Sequence, residues 1–102
     1  MGNGLHHLGV KEALHGLSET RFTSEDLTRD CLMQISRLDP KIEAWAWLES
    51  EMALERACEA DRHRQAGKQG ALQGIPVGVK DIIDVQGVPT RMGTCVFEDY
   101  QP

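Results

Sequence analysis

Residues 74–84, GIPVGVKDIID, place a lysine inside an apolar run that reads as a buried strand. A strand covered on both faces needs a neighbour at each edge and packing on each side. Only one other segment has strand character: residues 42–48, IEAWAWL, where Ile42, Ala44, Ala46 and Leu48 alternate with Glu43, Trp45 and Trp47. Two strands do not make a sheet that closes its own core. The chain therefore reads as the opening of an α/β sheet left incomplete, a piece of one domain spanning residues 1–102.

Three helices accompany these strands. Residues 10–17 carry Val10, Leu14 and Leu17 on one face, with Gly16 as a weak point. A second helix starts at Thr23, where Ser24, Glu25 and Asp26 form an acidic first turn. Its stripe of Leu27, Cys31, Ile35 and Leu38 runs to Asp39-Pro40, which ends it. A third helix covers residues 50–66. Ala53, Ala57 and Ala60 offer a small-residue face for close packing, and Arg62, His63 and Arg64 suit its C-terminal dipole. Gly87-Val88-Pro89 turns the chain after the second strand.

Composition narrows the function classes. Apolar residues make up 40% and charged residues 26%, as in a globular protein, and the net charge is −5. That balance argues against general nucleic-acid or anionic-membrane binding, which needs a basic face. No apolar run approaches the roughly 20 residues that span a bilayer, and the N-terminus lacks a secretory layout. Leu5 and His6 stand where a myristoylation site prefers Ser or Thr. Cys31, Cys58 and Cys95 have neither disulfide-framework nor zinc spacing, so a reducing cytoplasm is the expected setting. No cofactor is implied. His6 and His7 are adjacent but lack the partners of a metal site.

Lys80 is the strongest single clue to chemistry. Burial among Val79, Ile82 and Ile83 would disfavour its ammonium form and let the amine accept a proton near neutral pH. The plainer reading puts Lys80 and Asp81 at the solvent end of a strand. Ser18, Ser24, Ser36 and Ser50 sit at cap-like or surface positions without glycine neighbours, unlike a serine nucleophile in its oxyanion setting. Thr94 has a glycine beside it but no strand-to-helix elbow after it. Cys95 lacks a basic partner and reads as a small buried residue. Glu49, Glu51, Glu55, Glu59 and Asp61 read as a solvated helix face.

The run LQGIPVGVKDIIDVQGVPTRMGT, residues 72–94, resembles the lysine-bearing segment of the amidase signature family. Leu72, Gly74, Ile75, Pro76, Val79, Lys80 and Asp81 match its first part, and Asp84, Val85, Gly87, Thr90 and Gly93 its second. Upstream, TSEDLTRDCLMQISRLDPKIEAW and the pattern Ala53, Leu54, Ala57, Ala60, Asp61 are similar to the family's N-terminal portion. The family often has Asn at the position of Ile82 and Ser at that of Thr94.

The resemblance implies the first helices and strands of an α/β/α amidase fold. It also implies that Lys80 is the lysine of a Ser–cis-Ser–Lys triad, acting through the bridging serine to activate the nucleophile against a linear amide. Both serines lie downstream of the matched segment in the family. The chain is thus expected to be an N-terminal portion carrying the lysine alone, inactive by itself and able to pair with the remaining portion. A small non-catalytic accessory or binding protein derived from an amidase is the alternative.

Overall fold

The computed structural model describes residues 4–93 and 100. A 3₁₀ turn, Leu5–His7, leads into α1, Val10–Ser18, then α2, Ser24–Ile42, and α3, Ser50–Gln65. The three expected helices are present. Neither expected strand is: among the described residues the only β pairing is an isolated bridge between Val85 and Val88. The α/β expectation is corrected to three helices followed by irregular chain. The reason lies in the strand itself, whose backbone groups are satisfied only by a second strand in register. Val77 and Ile82, expected inside, are 67% and 62% exposed.

Each helix begins on a side-chain cap. Glu12 Oε1 accepts from Gly9 N at 3.1 Å ahead of α1. At α2, Thr23 Oγ1 accepts from Asp26 N and Asp26 Oδ2 from Thr23 N, both at 3.0 Å, a reciprocal capping box. Glu49 Oε1 accepts from Glu51 N at 3.3 Å before α3. Gly16, a weak point on propensity, is instead demanded by packing: a Cβ there would overlap the Phe22 ring. Buried Gly16 and Leu17 let the 19–23 turn fold back onto α1.

Pro40 does not stop α2. The helix runs on to Ile42, and proline in the last turn removes only the bond its own N–H would have made. Asp39 then closes the end. Its carbonyl accepts from Glu43 N at 2.7 Å, with Glu43 left-handed at φ 55°, and its Oδ1 accepts from Ala44 N at 2.7 Å. The 42–48 segment is therefore a capped helix end followed by a link to α3.

Asp61, expected on a solvated face, does something else. From α3 its two carboxylate oxygens accept from Ser24 N at 2.7 Å and Glu25 N at 3.1 Å, so α3 caps the first turn of α2. The core beside this junction is small: Ala13, Leu17, Leu27 and Ala57. Removing the carboxylate leaves two amides short of partners in a half-buried seam. Asp61→Ala is expected to cost about 1–2 kcal/mol, read as a lower urea midpoint at unchanged slope.

The N-terminus is also tethered. His6 N donates to Asp30 Oδ2 at 2.9 Å, and His6 Nδ1 lies 2.6 Å from the same oxygen, with Asp30 only 3% exposed. His6 anchors the first turn to α2. No group of three residues able to hold a metal ion occurs among the described residues.

Candidate active-site groove

The chain reaches Lys80 by a defined route. After α3, Arg64 Nη2 donates to Gln73 O at 2.9 Å and Gln73 Nε2 to Ala60 O at 3.2 Å, folding the link back on the helix. At Gly74 the chain crosses the α1–α2 junction, where Ser24 Oγ donates to Gly74 O at 2.8 Å. Gly74 has φ +90°, and a Cβ there would stand 3.1 Å from Leu17 Cδ1. Both the backbone angle and the space call for glycine. Ser24, 2% exposed, is accordingly a structural hydroxyl rather than a nucleophile.

Beyond Gly74 the segment runs without helix or ladder past Trp45, whose Cη2 would lie 3.4 Å from a Cβ on Gly78. Between this segment, the link preceding α3 and the Ala53, Ala57 and Ala60 face lies a groove of about 840 Å³. Lys80 and Asp81 are among its lining residues, with Arg56 and Glu49 as other charged members. Lys80 is exposed. The strand burial expected around it is not supplied by the described residues, because its apolar neighbours Val79, Ile82 and Ile83 are themselves uncovered.

After Lys80 the chain closes into a loop. Ile83 N donates to Lys80 O at 3.0 Å, and Val88 N donates to Val85 O at 3.1 Å across the turn at Gly87. Thr90 Oγ1 donates to Asp84 Oδ1 at 3.0 Å with Thr90 fully buried, so these two motif residues hold each other. Asp81 receives Arg91 N on Oδ1 at 2.9 Å and Gly93 N on Oδ2 at 3.2 Å. Arg91 Nη1 donates to Ala46 O at 2.9 Å, tying the loop to the link before α3.

Sequence reasoning misses Asp61, Asp81 and Arg91 as organising residues. The adjacency of Asp81 to Lys80 and the recurrence of short polar residues in 81–93 are the signals that could have found the loop. Thr94 and Cys95 lie outside the described residues. Cys31 and Cys58 are half-buried free thiols, and burial raises both above the usual thiol range. No helix among the described residues is long and apolar enough to cross a membrane.

The groove lined by Lys80 and Asp81 is bounded on one side by the Gly-Ile-Pro…Lys-Asp segment. The family model described as Amidase matches residues 26–102, and the chain belongs to that family. It is 37% identical over 97 residues to the A subunit of glutamyl-tRNA(Gln) amidotransferase from Pseudomonas fluorescens strain SBW25, covering 95% of this chain and 20% of that protein. Against the same protein of Acinetobacter baumannii ATCC 17978 the identity is 36% over 96 residues, again covering 20% of the relative.

A solved structure from work on a vestigial protein complex and the origins of an s-triazine catabolic enzyme superposes with a TM-score of 0.84. The identity there is 27%, covering 93% of this chain and 21% of that one. Its inhibitor-bound counterpart gives a TM-score of 0.85. The chain thus spans about a fifth of the length of the relatives it matches, corresponding to their N-terminal part.

Proposed function

We propose that this chain supplies the lysine of an amidase active site, within a single domain whose two serines come from the portion that follows in the longer relatives. The carrying observation is the place of Lys80: in the family-matched segment, at the mouth of the groove, with a free approach from solvent. Lys80 takes the proton of a bridging serine, which in turn deprotonates the nucleophilic serine for attack on a linear amide carbonyl. A neutral amine base works best away from water. The remaining portion of the domain would provide that cover, and the exposed apolar residues Val77, Val79, Ile82 and Ile83 give it a surface to pack on. A cytoplasmic setting suits the free thiols.

Neither a nucleophilic serine nor an oxyanion hole is present among the described residues, and the chain by itself is expected to hydrolyse no simple amide. Co-production with the remaining portion of an amidase, followed by an amide-hydrolysis assay on the purified pair, tests the reading. Hydrolysis by the pair and none by either part supports it. A stable pair without activity would favour the accessory-protein alternative. Hydrolysis by the isolated chain, lost on Lys80→Ala, would contradict a lysine-only role.

A further inference from the structure

We propose that Asp81 is the positioning residue for Lys80, holding it through a clamp that closes the 81–93 loop. The inference rests on Lys80 being the base. Three consecutive amides converge on Asp81: those of Arg91 and Gly93 on its carboxylate, and that of Met92 on its own carbonyl at 3.2 Å. Met92 and Gly93 both take left-handed backbone angles, φ 57° and 73°, which turn the amides inward. Successive N–H groups in such a turn form an anion-binding concavity, and here its anion is the carboxylate next to Lys80.

The clamp is tied to the rest of the molecule at one further point. Arg91 Nη1 reaches Ala46 O, next in sequence to Trp45, whose Cη2 would stand 3.4 Å from a Cβ on Gly78, so the loop and the 76–80 segment both meet the link before α3. Lys80 therefore needs no strand in this chain to have a fixed backbone. The amides of Arg91 and then Gly93 hold the Asp81 carboxyl below its ordinary value of 3.8, with the charges of Arg91 and Lys80 adding to them and partial burial opposing. A depressed carboxyl favours the closed loop above its ordinary range and loses that effect as pH falls through the lowered value. The clamp is closed at neutral pH.

The test is ¹⁵N relaxation and amide exchange on the full 102-residue chain and its Asp81→Asn variant. In the parent, the Lys80 amide should have an order parameter near the rigid-backbone value of about 0.85, with Arg91 and Gly93 protected from exchange. In Asp81→Asn, Lys80 should fall below about 0.6 while α1–α3 keep their protection. Arg91→Ala, which removes the strap to Ala46 and the guanidinium charge near Asp81 but leaves the backbone amides on the carboxylate, should loosen Lys80 less. In the reconstituted pair, Asp81→Asn should lower kcat by roughly 10–100-fold with KM little changed.

An unchanged Lys80 order parameter in Asp81→Asn overturns the proposal, as does loss of helix protection, which would make Asp81 a general fold residue. Full activity of Lys80→Ala in the pair would instead overturn the base assignment, while leaving the relaxation result to stand or fall separately.

Discussion

Lys80→Ala is expected to abolish amide hydrolysis in the reconstituted pair, by roughly 10³-fold or more in kcat, while leaving the stability of this chain within about 0.5 kcal/mol. The two halves of that expectation have separate causes. In the proposed relay the serine proton passes to Lys80, and removing one member of such a unit costs nearly as much as removing all of it. The fold should not notice, because Lys80 is exposed and no hydrogen bond or ion pair holds its side chain among the described residues.

Lys80→Arg separates base from charge. Arginine keeps the cation but gives up no proton in this range, so it too should be inactive. Initial rates on a linear amide, set beside urea denaturation of each variant, read both quantities. Retention of the parent rate by Lys80→Ala would remove the lysine from the mechanism.

Gly74→Ala has the largest expected effect on the fold. Alanine at φ +90° meets the left-handed penalty of about 1–2 kcal/mol, and its Cβ would press on Leu17 Cδ1 at 3.1 Å and Ser24 Cβ at 3.4 Å. Leu17 is 1% exposed and part of a small core, so it has little room to yield. Overpacking of this kind adds about 1–3 kcal/mol. The expected loss is about 2–5 kcal/mol, a large share of the stability of a chain this size.

The loss should also propagate to the site. Ser24 Oγ would be pushed off Gly74 O, freeing the 75–80 segment where it leaves the α1–α2 junction. Urea midpoints test the first effect and amide exchange at residues 75–80 the second. A midpoint equal to the parent's would mean the crossing is not tight.

These two positions also mark how far the sequence can be read. The capping signal at Thr23–Asp26 and the Leu27, Cys31, Ile35 stripe locate α2, and the alanine face locates α3, because both are written in contiguous residues. Pattern alone ends α2 too early, at Pro40, because the true stop depends on the Asp39 carboxylate folding back onto Ala44 N. The strands expected at 42–48 and 75–85 fail for a related reason. Apolar alternation reports how a segment would sit once paired, and no partner strand runs beside either segment among the described residues. Asp61 looks like a surface acid because its partners, Ser24 and Glu25, lie far off in sequence.

The residues by themselves determined three helices, their starts, and a lysine set among apolar side chains in a family-specific segment, since these follow from local pattern and matched motif. Only the tertiary structure decided that Lys80 stands exposed at a groove, that α3 caps α2 through Asp61, and that Asp81 gathers the amides of Arg91 and Gly93. The first depends on which segments pack beside residue 80 and the other two on groups apart in sequence coming within hydrogen-bond reach, none of which periodicity and composition encode.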